Sequence, residues 1–284
     1  MESAMNQAQY ERLRDRLRSL VSQGLCIAFS GGVDSSLLLK AACNISKEKG
    51  EKVYAVTFLT KLHPHGEMEE ARQTALEFGA IHDVIEVDEF ADREILKNPV
   101  DRCYRCKRLL FQTLRSYAQE RNLLALADGT NADDLHQYRP GIRALHELGV
   151  ASPLAECGLT KADVRRLSHT LGLKASEKPS APCLATRIPY NTLLDFNVLQ
   201  NIDKGEAFLK ELGYPVVRIR LHGDIARIEV PKEKLSNILG DSDLIISRLK
   251  GLGFSYVTLD LKGFRSGSMD QKIKSGLTGR EDMA

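Results

Sequence analysis

Residues Ala28 to Ser36 read AFSGGVDSS, a run of two glycines and three serines around one aspartate. Glycines let the backbone fold tightly, so that successive N–H groups converge on an anion, and a helix starting directly afterwards adds the positive end of its dipole. A phosphate site is the natural reading. The run lacks the lysine of the G-x-x-x-x-G-K-[ST] loop, and it is not G-x-G-x-x-G either. A serine-capped helix start would need one or two such residues, not six within seven positions.

The second chemical feature is C-x-x-C, formed by Cys103 and Cys106 in DRCYRCKRLLF, with Cys183 lying 77 residues after Cys106 in SAPCLATRIPY. Such a pair serves as half a zinc site, as a redox couple, or as two thiolates of an iron–sulfur cluster. A structural zinc site wants four N/S ligands, and the spare candidates, Cys157 and His136, stand in no paired spacing. Three thiolates on a [4Fe–4S] cluster would leave one iron open to an exogenous ligand such as hydrosulfide. Arg102, Arg105, Lys107 and Arg108 flank the pair and favour thiolate and cluster charge. Cys26 and Cys43 read as buried thiols of a strand and a helix face, and Cys157 as equally inert.

Anion-handling residues recur further on. DGTNADD, from Asp128 with Gly129 through Asp134, follows the apolar run LLALAD. At the carboxyl end of a sheet strand its carboxylates suit Mg²⁺ or nucleotide hydroxyls, the plain alternative being an Asx turn. Arg187 stands four residues after Cys183, while Arg218 and Arg220 alternate along one strand. Their forked donors match phosphate or carboxylate, with solvated surface arginines as the alternative.

The elements that must position these groups follow from hydrophobic period. Short apolar runs, LCIAF, KVYAVTFL, HDVIEVD, LLALAD and ASPLAE, alternate with helix-period segments. They predict an α/β fold, a parallel sheet with helices on both faces, over residues 1–177. Thr160 is placed to cap a helix over TKADVRRLSHTLGL. Prolines then break regular structure in a Cys-bearing loop, residues 178–194. A smaller C-terminal α+β domain, residues 195–265, follows: a helix from Asp195 stopped at Gly213, then VVRIRLH and IARIEV as a hairpin about Gly223 and Asp224, one face buried and the other carrying arginines. A helix over Ser242 to Leu252 and a strand, SYVTLDL, complete it, and residues 266–284 read as a flexible tail.

With 284 residues the chain is long enough for one large domain or two small ones, and 43% hydrophobic against 27% charged residues is ordinary globular composition. Forty Lys+Arg against 38 Asp+Glu leave a net charge of +2, so no global field recruits nucleic acid. No apolar run approaches the roughly 20 residues of a membrane span, and the N-terminus lacks an apolar signal core. A cytoplasmic protein with reduced thiols is expected.

SGGVDSS resembles the PP-loop of the N-type ATP pyrophosphatases. That resemblance implies an adenine nucleotide alpha hydrolase-like domain in which Ser30, Gly31, Gly32, Ser35 and Ser36 cradle the pyrophosphate of ATP and Asp34 helps hold Mg²⁺. Four stretches extend the likeness from Cys26 to about Arg265: AFSGGVDSSLLLK, DGTNADDLHQYRPGIRAL, SAPCLATRIPYNT, and VRIRLHGDIARIEVP with YVTLDLKGFRSG. In these the chain resembles the LarE family of ATP-dependent sulfurtransferases, which make the pyridinium bis-thiocarboxylate mononucleotide of the nickel-pincer cofactor of lactate racemase. The family likeness implies adenylation of a carboxylate of pyridinium-3,5-biscarboxylic acid mononucleotide and displacement of AMP by sulfur. It implies Cys183 as the sulfur-handling residue and Arg187, Arg218 and Arg220 as substrate-binding, with Glu229 as a metal or orienting partner, in a homo-oligomer. Some members sacrifice the sulfur of the residue matching Cys183. Others add a C-x-x-C, hold a [4Fe–4S] cluster and turn over repeatedly; Cys103 and Cys106 place this chain with the latter.

Three rivals differ in what they require. A cluster-bearing PP-loop tRNA thiolase needs a basic surface, and here the dense basic patch surrounds only C-x-x-C. An amidating ligase needs a glutaminase domain for which there is no room. A non-catalytic nucleotide- or redox-sensing module predicts no cleavage of ATP to AMP.

Overall fold

β1 (Leu25–Ala28), β2 (Val53–Thr60), β3 (Ile81–Val87) and β4 (Ala125–Ala127) form a parallel sheet in the order β3-β2-β1-β4. The computed structural model describes residues 2–63, 68–137, 139–178 and 182–265. Leu25 pairs with Val53 on one side and with Ala125 on the other, placing β1 centrally. Side chains alternate across a strand, so Leu25 and Ile27 enter one core and Cys26 the other. The first core is closed by helices Glu2–Val21, Val33–Lys49 and Lys161–Thr170, the second by Arg102–Glu120 and Gly141–Glu147. Helices thus cover both faces, which is why β1 and β4 are continuous apolar runs.

The helices end where local chemistry dictates. Gly50 closes Val33–Lys49 in the left-handed conformation, at φ 71°. Thr160 caps Lys161–Thr170 through a capping box in which Asp163 returns the bond. One expected strand differs: in ASPLAE only Ala151 bridges to Ala127, after which Pro153–Glu156 is a helical turn. Pro153 supplies no N–H to a ladder and its fixed φ suits the first helical position.

The chain divides into two compact units, the first comprising residues 1–61, 65–95 and 100–181, the second residues 62–64, 96–99 and 182–284. In the second, helix Phe196–Glu211, capped by Asp195, is followed by β5 (Arg218–His222) and β6 (Ile225–Glu229). Helix Ser242–Gly251 and β7 (Tyr256–Leu259) come next. β5 and β6 are antiparallel about Gly223, whose φ of 64° suits the tight turn, and β7 joins β6 in parallel. The arginines of β5 are not on a solvent face: Arg218 and Arg220 are 6% and 4% exposed, because the residues around Arg187 cover that side. The expected tail over residues 266–284 lies outside the described residues. Among the described residues no helix is long and apolar enough to cross a membrane.

Candidate active site

The SGGVDSS run turns from β1 into helix Val33–Lys49, as the glycines require. Gly31 takes φ 71°, which a side chain would resist. Gly32 is the N-cap and has no side chain with which to occupy the first N–H groups. These donors are the orphans of any helix start and face whatever anion sits there. The serines brace the loop. Ser35 Oγ donates to Gly32 O at 3.1 Å and accepts from Ser30 N at 3.3 Å, while Ser30 Oγ accepts from Gly32 N at 3.4 Å. Ser36 Oγ is buried without a hydrogen-bond partner among the described residues. A cradle of N–H groups with hydroxyls to spare fits a pyrophosphate.

Asp34, in the first turn, is held from two sides. Asn131 Nδ2 donates to its Oδ1 at 3.1 Å, and Lys161 Nζ forms a short ion pair with its Oδ2. Both partners come from elements after β4. The loop Asp128–Asn131 lies directly on the SGGVDSS run: a Cβ on Gly129 would stand 2.9 Å from Ser35 N. Asp128 itself is buried and accepts from Lys107 Nζ at 3.0 Å, Thr130 N at 3.1 Å, Thr130 Oγ1 at 2.7 Å and Ser152 Oγ at 2.8 Å. Burial raises its pKa, yet the Lys107 ammonium and the hydroxyls of Thr130 and Ser152 outweigh burial and hold the carboxyl below its usual range. Asp133 accepts from Lys161 N at 2.8 Å, while Asp134 closes a capping box on Asn131 and pairs with Arg139 at 2.9 Å. The acidic run therefore builds the loop that lies on SGGVDSS. Tyr138 lies outside the described residues.

Cys103 and Cys106 occupy the first two turns of helix Arg102–Glu120, three residues apart and hence on one face, both half-buried. Arg102, 1% exposed, donates to Cys103 Sγ at 3.6 Å, and the helix N-terminus adds its positive end. By contrast burial pushes the Cys26 and Cys43 thiols up to about 12 and about 11, which makes them unreactive core residues.

Cys183 belongs to the second unit, half-buried at the entry to the 3₁₀ turn Leu184–Arg187. Arg187 does not reach solvent. It grips Glu206 through two hydrogen bonds, and its Nη1 donates to the carbonyls of Pro182 at 2.7 Å and Cys183 at 3.2 Å. Arg220 donates to Glu229 at 3.2 Å and to Thr186 O at 2.8 Å, and Arg227 adds a bond to Glu229 at 3.0 Å. Three buried guanidiniums, those of Arg187, Arg218 and Arg220, thus face two buried carboxylates, Glu206 and Glu229. Burial and the neighbouring Arg187 push Arg218 down to about 10. An anion arriving here would relieve that excess of positive charge. Within either unit, among the described residues, no three His, Cys, Asp or Glu side chains form a ready metal set.

Sequence reasoning missed Lys161, Glu206 and the bond from Lys107. Each had a signal. Lys161 opens a helix, where a cation opposes the dipole and so asks for a reason. Glu206 falls within the buried stripe of Leu199, Ile202 and Leu209. Lys107 was legible only as one of four basic neighbours of C-x-x-C.

Comparison with known proteins agrees with this geometry. The asparagine synthase family model matches residues 6–105. The chain is 39% identical over 249 residues to an uncharacterized protein of Synechocystis, covering 87% of this chain and 92% of that one. It is 37% identical over 251 residues to pyridinium-3,5-bisthiocarboxylic acid mononucleotide synthase of Lactiplantibacillus plantarum, covering 88% of this chain and 90% of the relative. A shorter likeness, 29% over 187 residues, links it to a polypeptide of the glutamine-hydrolyzing GMP synthase of Archaeoglobus fulgidus, with 61% of this chain and 60% of that polypeptide covered.

Proposed function

The chain belongs to the pyridinium-3,5-bisthiocarboxylic acid mononucleotide synthase (LarE) family, and from that premise we propose that it is a cytoplasmic ATP-dependent sulfurtransferase of nickel-pincer cofactor biosynthesis. The observation that carries this reading is that likeness over 88% of the chain, joined to an SGGVDSS loop that turns directly into a helix N-terminus with no side-chain cap. A carboxylate oxygen of pyridinium-3,5-biscarboxylic acid mononucleotide attacks the α-phosphorus of ATP. The Pα–O–Pβ bond breaks and pyrophosphate leaves into the cradle of Ser30, Gly31, Gly32, Ser35 and Ser36. Sulfide-level sulfur then adds to the acyl carbon, AMP departs, and a thiocarboxylate remains.

The chain's own residues supply positioning and charge. N–H groups at the start of helix Val33–Lys49 offset the charge that develops on pyrophosphate. Asp34, oriented by Asn131 and Lys161, is placed to hold Mg²⁺, and Asp128 with Gly129 shapes the floor beside it. Arg218 and Arg220 suit the substrate's phosphate and carboxylates, and Arg187, through Glu206, sets the backbone that carries Cys183. Glu229 orients Arg220 and Arg227.

Cys103, Cys106 and Cys183 are proposed to hold a [4Fe–4S] cluster, with Arg102 and the positive end of the helix beside the first pair to offset the cluster's negative charge. Bound there, the cluster would present nucleophilic sulfur at its one iron without a protein ligand. Incubation with Mg-ATP, the bis-carboxylate mononucleotide and sulfide tests the activity: AMP, pyrophosphate and thiocarboxylate in equal amounts support it, and ATP cleavage that ignores the mononucleotide refutes the substrate. About four irons and four sulfides per chain in anaerobic protein, lost in Cys103→Ala, Cys106→Ala and Cys183→Ala, support the cluster. Iron-free protein whose mass falls by one H₂S during turnover shows Cys183 to be sacrificed instead.

A further inference from the structure

Within the first unit, one four-residue loop touches both the pyrophosphate cradle and the C-x-x-C helix. Its Gly129 lies against Ser35, where a Cβ would come within 2.9 Å of Ser35 N and 3.2 Å of the Asp34 carbonyl carbon. Its Asn131 holds Asp34 at 3.1 Å. From the same loop Asp128 reaches away, to Lys107 Nζ at 3.0 Å. Lys107 stands one residue after Cys106 and four after Cys103, one turn along their helix.

That contact is more constrained than a surface ion pair, which is ordinarily worth little. The Asp128 side chain is 6% exposed and takes three further hydrogen bonds, so its oxygens have a fixed place. The lysine stem is confined as well. At Gly141, which opens helix Gly141–Glu147, a Cβ would stand 3.0 Å from Lys107 Cγ and 3.3 Å from Cys103 O. The ammonium also lies over the Phe111 ring, 5.3 Å from its centroid, a second attraction that keeps it in place.

We infer that Lys107 is a positioning residue that registers the Cys103–Cys106 turn on the pyrophosphate loop, so that nucleotide binding is felt by these two thiols. The inference rests on the nucleotide reading of SGGVDSS. A ligand that engages Asp34 and the N–H groups beside it stiffens the loop from Asp128 to Asn131. The Lys107–Asp128 bond passes that stiffening to the helix turn bearing the thiols. The Cys103–Cys106 turn and the pyrophosphate loop would thereby be set in register within one unit.

The test uses reduced, cluster-free full-length protein and limited iodoacetamide labelling, read per cysteine by mass spectrometry. It is run with and without Mg²⁺ and α,β-methylene ATP, whose Pα–C–Pβ bridge cannot be cleaved, while calorimetry measures binding of the analogue. The expected result is a slowing of Cys103 and Cys106 labelling by about fivefold or more, the scale of a typical coupling between sites, with Cys157 unchanged. Lys107→Met loses the slowing although the analogue still binds, and Lys107→Arg, which keeps a donor, regains it. Full slowing in Lys107→Met would mean that the nucleotide shields the thiols directly, and it overturns the inference. Unchanged labelling in the wild type with analogue bound does the same. Failure of the analogue to bind the wild type refutes the nucleotide reading itself, and with it this extension. Circular dichroism confirms that the Met variant is folded, and Lys107→Gln, which also lacks the charge and is expected to lose the slowing, carries the test if it is not.

Discussion

Arg187 Nε donates to Glu206 Oε1 at 2.9 Å and Arg187 Nη2 to Glu206 Oε2 at 2.8 Å, with the two side chains 1% and 2% exposed. The same guanidinium holds the carbonyls of Pro182 and Cys183, and the same carboxylate accepts from Ile219 N at 3.0 Å. Two buried charges thus tie the Cys183 turn to helix Phe196–Glu211 and to β5.

Removing one member leaves the other charged and buried. Glu206→Ala should cost about 3–5 kcal/mol, and Arg187→Ala a similar amount, both seen as a lower urea midpoint of the unfolding transition. Glu206→Gln retains an acceptor and should cost less. If Glu206→Ala unfolds at the wild-type midpoint, the pair does not hold this unit together.

Gly129 makes a close backbone approach that no side chain can share. Gly129→Ala should weaken binding of Mg-ATP by about tenfold and destabilise the protein by about 1–3 kcal/mol, because backbone atoms of Asp34 and Ser35 must shift. Calorimetric titration of the variant against wild type checks this.

Lys161 holds Asp34 from across the site. Lys161→Met should slow substrate-dependent formation of AMP by about tenfold or more, since a misplaced carboxylate misplaces whatever it orients. Quantifying pyrophosphate release measures it, and the effect should be absent in Lys49→Met, which lies at the opposite end of helix Val33–Lys49 from Asp34.

Asp128 confers a pH dependence. Burial raises its pKa but Lys107, Thr130 and Ser152 more than compensate, so the folded carboxyl releases its proton more readily than the unfolded one. The unfolded state therefore binds more protons, and stability rises with pH through this window. The contribution is complete above about pH 4 to 5 and is lost as the pH falls through the lower folded value. Asp128→Asn should flatten the acid limb of the melting temperature against pH, below about pH 5, relative to wild type.

Cysteine reactivity separates core from site. With their thiols pushed to about 12 and about 11, Cys26 and Cys43 should resist alkylation at about pH 8 until the protein is denatured, whereas the half-buried Cys103, Cys106 and Cys183 react in folded, reduced, cluster-free protein. Mass mapping after timed labelling distinguishes the sets.

Much of the site was legible because local chemistry specifies it. SGGVDSS can only be a tight turn into a helix, C-x-x-C on a helix shares a face, and Thr160, Asp195 and Gly213 mark helix ends by the bonds they make or the φ they accept. The alternation of apolar runs with helical segments dictated a parallel sheet covered on both faces. ASPLAE misled because an apolar stretch of that length suits a strand, and only Pro153 argued otherwise.

Partners distant in sequence were a different matter. The spacing of residues contains no signal that Lys161 meets Asp34, 127 positions away, or that Lys107 meets Asp128. The arginines of β5 show the same limit: alternation put both on one strand face but gave no sign that the turn after Cys183 covers it or that Glu206 and Glu229 supply the charge that makes burial tolerable. Residue types thus determined which chemistry this chain is equipped for. The tertiary structure decided which charges are paired, because a charge is stable in the interior only beside its opposite, and the fold alone brings the two together.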